Sequence, residues 1–272
     1  MSSSLRVAAV QLNSQQDLTQ NLANVAAEVR AAAERGAKLV VLPENFAYMG
    51  SEVDKRAFAE ELPSRDAPIQ SCLRQLAEQH RVALLAGGFP ERSGDPLRPF
   101  NTCVAYGPDG SLLGAYRKIH LFDVDLPDGT RLLESEGVSP GSDPVVIEVA
   151  GFKVGLSICY DVRFPELYRA LTQRGAELLI VPAAFTLQTG KDHWHVLLRA
   201  RAIESQCWLI AADQWGRHPQ NRATYGHSMI IDPWGTIVAE ASDRTGVVVA
   251  DIDRDYLDKV RRSVPCLRHR RL

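Results

Sequence analysis

Short apolar runs alternate along the chain with stretches whose apolar residues recur every three to four positions, and this alternation organises the whole sequence. "LRVAAVQL" (5–12) predicts a strand. "NLANVAAEVRAAAERG" (21–36) predicts an Ala-rich amphipathic helix closed by Gly36, and "KLVVLPE" (38–44) a fully buried strand. "IQSCLRQLAEQH" (69–80) predicts a helix that leads into the strand "VALLAGGF" (82–89). The pattern then changes, because "NTCVAYGPDGSLLGAYRK" (101–118) is two strands around Pro-Asp-Gly, a hairpin signal. From Leu121 to about Pro144, Asp, Gly, Pro and Ser predict a long irregular loop, of a length that is usually functional or disordered.

The second half follows the same logic. "PVVIEVAGFKVGLSICYD" (144–161) predicts a hairpin turning on Ala-Gly, with its second strand ending at Cys159. "FPELYRALTQRG" (164–175) predicts a helix with Pro165 in its first turn, and "AELLIVPAAF" (176–185) a buried strand. The helix "KDHWHVLLRARAIESQ" (191–206) precedes the strands "CWLIAADQWG" (207–216), "YGHSMIIDP" (225–233), "TIVAEAS" (236–242) and "GVVVADID" (246–253). "RDYLDKVRRSVP" (254–265) is a last helix. With no linker-like break and no repeat of fixed period, the expectation is one α/β domain with two sheets covered by helices.

Composition narrows the class. The 272 residues are 45% hydrophobic with net charge −2, so a large core is available and no polyanion is an expected partner. Apolar runs such as "LVVL" fall far short of a bilayer span, and strand-like sequence from Leu5 leaves no room for a leader. The expectation is a soluble, cytoplasmic protein. Cys72, Cys103, Cys159, Cys207 and Cys266 are an odd, widely spaced set without C-x-x-C, which argues against a disulfide scaffold and a zinc ribbon.

Three strand ends carry chemistry. Glu44 follows "VVLP", Lys118 follows "GAYR" and Cys159 follows "GLSI", and in α/β folds reactive groups gather where strands end and loops begin. Singly, each has a plain alternative: a helix cap, a solvated hairpin residue, a core thiol. Together they form a set for acyl transfer, with Cys159 as nucleophile, Glu44 as base, and Lys118 with the Tyr160 N–H as oxyanion donors. Other signals are weaker. His193 and His195 lie two apart on a helix, hence on roughly opposite faces, so a shared metal is not expected. "GLSIC" resembles a serine-hydrolase elbow only if Cys159 replaced its last glycine. Gly87-Gly88 is too little for a phosphate loop.

"LVVLPENF", "YRKIHLFD" and "GLSICYDVRFPE" resemble the three signature segments of the nitrilase, or carbon-nitrogen hydrolase, superfamily, whose catalytic Glu, Lys and Cys match Glu44, Lys118 and Cys159. The resemblance spans essentially the whole chain. It implies a four-layer αββα sandwich, hydrolysis of non-peptide amides through a thioester, and no metal or organic cofactor. It also implies a second glutamate that orients the lysine. Glu134 in "LLESEG" matches it, with Glu136 the lesser candidate.

Within the superfamily, "LFDVDLPDG", "AFTLQTGKDHWHVLLRARAIESQ", "YGHSMIIDPWG" and "VPCLRHRRL" look like the branch acting on α-keto acid amides. The implied reaction is cleavage of the amide of deaminated glutathione, with α-ketoglutaramate or α-ketosuccinamate as alternative substrates. Tyr48, Tyr160, Arg163, Phe185 and Thr186 are candidates to line the pocket, and Arg217, His218 and Arg222 to meet the leaving group's carboxylate. One departure stands out: the branch usually has an acidic residue after the His-Trp pair, and this chain has His195. The tail from about residue 256 to 272 is expected to dock on a partner subunit of a homodimer or larger homo-oligomer. A catalytically silent scaffold on the same fold is the rival reading, and the intact Glu-Lys-Cys set weighs against it.

Overall fold

The computed structural model describes residues 4–125 and 131–271. Its first half runs β1 (Ser4–Gln11), α1 (Leu18–Glu34), β2 (Leu39–Leu42), α2 (Glu52–Arg56), α3 (Pro68–His80), β3 (Ala83–Glu91), β4 (Phe100–Tyr106) and β5 (Leu112–Arg117). The small strands β6 (Asp123–Asp125) and β7 (Arg131–Leu133) follow. The second half runs β8 (Val146–Val149), β9 (Phe152–Leu156), α4 (Pro165–Gln173), β10 (Leu178–Ala183), α5 (Leu187–Ser205), β11 (Trp208–Asp213), β12 (Trp215–Arg217) and β13 (Ala223–Tyr225). It closes with β14 (Met229–Ile231), β15 (Ile237–Glu240), β16 (Gly246–Asp253) and α6 (Arg254–Ser263).

Two six-stranded sheets form the inner layers, ordered β16-β1-β2-β3-β4-β5 and β15-β14-β11-β10-β9-β8. Each has three parallel strands at its centre, β1-β2-β3 and β9-β10-β11, flanked by antiparallel neighbours. Alternation along the strands sets the layers. Ala8, Val10, Val40 and Leu42 pack with α1 and α3 on the outer face of the first sheet. Val7, Ala9, Leu39 and Val41 point inward and join the core of the second sheet, which α4 and α5 cover with Leu167, Leu171, Trp194 and Leu198. The architecture is the four-layer αββα sandwich.

Local chemistry explains the boundaries. Asp17 caps α1 by accepting from the Gln20 N–H at 3.0 Å, so the helix starts earlier than its apolar pattern. Pro165 occupies the first turn of α4, where its missing N–H leaves no acceptor unmet. The expected loop from 121 to 144 holds the β6–β7 hairpin and a 3₁₀ turn at Glu134–Glu136, and the 126–129 part of "LFDVDLPDG" lies outside the described residues. The short helix α2 is an element that the apolar pattern does not announce.

One boundary differs in a way that matters. The second strand of the 144–161 hairpin ends at Leu156, not at Cys159. Ser157 leaves the ladder by donating its hydroxyl to the Ile180 carbonyl at 2.7 Å, and the Ile158 N–H donates to the Asp161 carboxylate at 2.8 Å. These side-chain partners replace strand pairing and release the chain into a tight turn. Gly87 allows the close contact between the sheets, and Gly88 leaves room for the Glu44 side chain. A Cβ on Gly87 would lie 1.9 Å from the Pro182 side chain, and one on Gly88, at φ +74°, would lie 2.6 Å from Glu44 Cγ.

Candidate active site

Glu44 follows β2, Lys118 follows β5 and Cys159 follows β9, so the ends of strands from both sheets deliver the three side chains to one place. Glu44 Oε1 accepts from Lys118 Nζ at 3.0 Å and from Asn101 Nδ2 at 2.8 Å, while its Oε2 accepts from the Ala184 N–H at 3.1 Å. Lys118 Nζ also donates to both oxygens of Glu134, at 3.0 and 2.8 Å. Glu134 is fixed in turn by the Phe122 N–H at 2.6 Å. Three ammonium protons thus meet three carboxylate oxygens.

Cys159 begins a 3₁₀ turn that runs to Arg163, and its φ of 47° is left-handed. For a residue with a Cβ this conformation stores roughly 1–3 kcal/mol and persists only where the surroundings impose it. The N–H groups that open such a turn have no acceptor within it, and the Tyr160 N–H is one of these. Cys159 is 8% exposed and Glu44 3%, so both groups are almost wholly desolvated.

Burial sets the electrostatics. It pushes the Cys159 thiol well above its usual range, and the Glu44 charge adds to this, while Lys118 and the Ala184 N–H oppose it. A thiol so placed needs a base before it can act as a nucleophile. For Lys118, burial favours the neutral amine, but Glu134 and Glu44 outweigh it and hold the ammonium well above the ordinary lysine range. Burial likewise raises Glu134, and Lys118 overcomes it, leaving this carboxyl below the ordinary range.

Four residues of this neighbourhood escape the sequence reading. Asn101, from β4, bridges the two glutamates, donating to Glu44 and to Glu134 Oε1 at 3.2 Å. Asp161 is fully buried and accepts from Tyr116 Oη at 2.7 Å and from the Ile158 and His120 N–H groups at 2.8 and 3.1 Å; His120 Nδ1 stands 2.7 Å away. It joins the turn of Cys159 to the segment after Lys118. Asp213, at the end of β11, accepts from the Phe185 and Gly226 N–H groups at 2.8 and 3.0 Å. Gln214 donates to the Glu44 carbonyl at 3.0 Å. An Asp directly after Cys-Tyr was the one readable hint, since its side chain can cap the turn.

Arg163, in the same 3₁₀ turn as Cys159, gathers two of the expected lining residues around it. The Arg163 guanidinium lies 5.2 Å from the Phe185 ring centre and 5.9 Å from that of Tyr160, and its Nη1 stands 3.2 Å from His193 Nδ1. Thr186 follows Phe185 at the start of α5 and pairs its hydroxyl with Thr189 at 2.7 Å. Tyr48 packs on Phe58 and reaches Asp54 on α2. Arg222 pairs with Glu52 of α2 at 3.6 Å. Arg217 is exposed and borders a separate depression of about 320 Å³ with Leu187, Lys191 and Tyr225. His218 is buried between the Ser14 carbonyl and the Thr224 hydroxyl, and burial keeps its pKa below the usual histidine range. His193 turns to Arg163, and His195 to Glu240 at 2.8 Å. Among the described residues no helix is long and apolar enough to cross a membrane.

A buried thiol on a strained turn, a carboxylate and an ammonium stand together between two sheets, a set chemically able to carry out acyl transfer by a cysteine-dependent hydrolase. The carbon-nitrogen hydrolase profile matches residues 6–262, and the chain belongs to that family, whose members hydrolyse carbon–nitrogen bonds other than peptide bonds. The chain is 47% identical over 266 residues to the deaminated glutathione amidase of Synechocystis, covering 97% of each. It is 39% identical to the omega-amidase NIT2 of Danio rerio, covering 99% of this chain and 95% of that one. The crystal structure of the C. elegans NitFhit protein superposes with a TM-score of 0.92 at 40% identity, over 99% of this chain and 66% of that chain.

Proposed function

We propose that the chain hydrolyses the amide bond of deaminated glutathione through a Cys159 thioester, releasing α-ketoglutarate and the Cys-Gly dipeptide. The observation that carries the chemistry is the Glu44–Lys118–Glu134 array at 2.8 to 3.0 Å beside a buried thiol. The named Synechocystis relative supports the substrate, and the Danio rerio relative supports α-ketoglutaramate or α-ketosuccinamate as the second reading.

Glu44 takes the thiol proton as sulfur bonds to the amide carbon. The developing oxyanion is met by the Tyr160 N–H and by Lys118, which frees a proton by exchanging its two-point contact with Glu134 for a one-point contact. Glu44 then protonates the amine as the C–N bond breaks. Water repeats the sequence on the thioester: Glu44 accepts its proton, the C–S bond breaks and the proton returns to sulfur. Glu134 and Asn101 position Lys118 and Glu44. Arg163, with Phe185, Tyr160 and Thr186, takes the keto-acid end in this reading, and Arg222, paired with Glu52 of α2, takes the leaving group.

The same reading includes assembly of identical subunits, which the exposed Val196 and Ile203 of α5 and the exposed Val264 within the tail support. Light scattering of the purified chain tests it. The catalytic test is hydrolysis of the three α-keto amides by wild type, Glu44→Gln, Cys159→Ala and their double variant, with the thioester sought by intact mass. Each single change is expected to abolish turnover, and the double to be barely worse than either. Multiplying losses would sink the shared step, and wild-type preference for α-ketoglutaramate would move the substrate to the second reading.

A further inference from the structure

His195 of α5, His227 before β14 and Glu240 at the end of β15 converge at a place where the proposed reaction uses none of them. Glu240 Oε1 lies 2.8 Å from His195 Nε2 and 2.6 Å from His227 Nδ1. The three ligand atoms all fall within 4.8 Å of one another. His227 Nε2 faces Asp243 Oδ1 at 3.5 Å. We propose that His195, His227 and Glu240 form a site for one divalent first-row metal of the zinc class, with Asp243 as the outer partner of His227.

The donor set selects the ion. Two imidazoles and one carboxylate suit Zn²⁺, Co²⁺, Ni²⁺ or Cu²⁺, whereas Mg²⁺ and Ca²⁺ prefer all-oxygen shells. Ligand atoms around a tetrahedral zinc stand about 3.3 Å apart, given bonds near 2.0 Å. Glu240 stands closer than that to each histidine, at 2.8 and 2.6 Å, and no pair of the three donors is more than 4.8 Å apart, so side-chain movement alone can bring them to it. The side chains of His195, His227 and Glu240 are 31%, 25% and 32% exposed, which leaves room for that motion and an open face for a fourth, solvent ligand.

The surroundings hold one histidine firmly. The Trp194 indole donates to the His227 carbonyl at 3.0 Å, the Tyr225 ring stacks on the His227 ring at 4.5 Å, and His227 keeps a left-handed φ of 54°. When Nδ1 of His227 binds the metal, its proton resides on Nε2 and points to Asp243, the carboxylate–histidine arrangement that raises ligand basicity. His195 binds through Nε2 and carries its proton on Nδ1.

Co²⁺ titration followed by absorption and calorimetry tests the site on the purified, metal-stripped chain. One equivalent is expected to bind, with visible ligand-field bands and without the intense near-ultraviolet band of a cobalt–thiolate bond. His195→Gln and Glu240→Gln are each expected to weaken binding at least tenfold, and Asp243→Asn by less than either, because Asp243 is 78% exposed and 3.5 Å from His227 Nε2. Circular dichroism melting reports whether each variant is folded. The site is overturned if wild type shows no saturable binding at one equivalent, if a thiolate band places the metal on a cysteine, or if folded His195→Gln and Glu240→Gln bind as wild type does.

Discussion

Lys118 Nζ stands 3.0 Å from Glu44 Oε1 with the two side chains 2% and 4% exposed, so a cation and an anion are desolvated together between the sheets. Such a pair is a weak source of stability, but removing one partner strands the other. Lys118→Ala is therefore expected to act twice. It leaves Glu44 and Glu134 as unpaired neighbours, lowering stability by about 3–5 kcal/mol. It also removes an oxyanion donor, an effect of about 3–4 kcal/mol on the barrier. Chemical denaturation and kcat/KM read the two separately, and a variant that loses stability while keeping kcat would exclude the oxyanion role.

The thiol makes a prediction whose sign is less obvious. Burial first, and the Glu44 charge second, hold the Cys159 pKa above the ordinary thiol range, while Lys118 works against them. Glu44→Gln removes the repulsion and keeps the shape, so its thiolate forms at lower pH although the enzyme is inactive. Lys118→Ala removes the attraction, and its thiolate forms at higher pH. The pH profile of iodoacetamide labelling at Cys159, read by peptide mass, should shift down for the first variant and up for the second. The reverse order would show that another charge controls the thiol.

What the sequence revealed, and what it did not, follows from the range of the interactions involved. Glu44, Lys118 and Cys159 were legible because each directly follows a strand or hairpin pattern that local periodicity exposes. The pairing of β16 with β1 was not, because the register Ser4↔Asp253 joins opposite ends of the chain. The end of β9 at Leu156 depends on Ser157 finding the Ile180 carbonyl, a partner on another strand. Asn101 looks like an ordinary residue at the start of a hairpin, and only the folded structure sets it between Glu44 and Glu134. The sequence sets His195 beside only its helical neighbour His193, whereas its partners in space, His227 and Glu240, come from the edge of the second sheet.

Asp161 tests how far the turn of Cys159 depends on its support. Its carboxylate gathers Tyr116 Oη, the Ile158 N–H and the His120 N–H with no exposure to water. Asp161→Ala leaves these buried donors without an acceptor, at about 1–3 kcal/mol for each that water cannot reach. Because the Ile158 N–H bond directs the chain into the left-handed residue, kcat should fall as well. Asp161→Asn retains an acceptor oxygen and should recover part of both. If Asp161→Ala melts lower but turns over normally, the turn is held by packing alone.

Substrate choice rests on which arginine meets which carboxylate. Arg163 lies against Phe185 and Tyr160, the latter next to the nucleophile, so it is assigned to the keto-acid end, which both candidate substrates share. Arg222 is 27% exposed and held loosely by Glu52 at 3.6 Å. Glu52 is in turn near the turn that carries Glu134, since a Cβ on Gly137 would lie 3.1 Å from Glu52 Cβ. A dipeptide leaving group extends beyond the scissile bond and could draw Arg222 from Glu52 with its terminal carboxylate, whereas ammonia could not. Loss of a hydrogen bond to a charged group amounts to about 1.5–3 kcal/mol, or roughly 10- to 100-fold. Arg222→Ala is accordingly expected to lower kcat/KM for deaminated glutathione by that factor and to leave α-ketoglutaramate unchanged. Arg163→Ala should depress both substrates together. If instead Arg217→Ala produces the selective loss, the dipeptide lies along the depression bordered by Leu187, Lys191 and Tyr225.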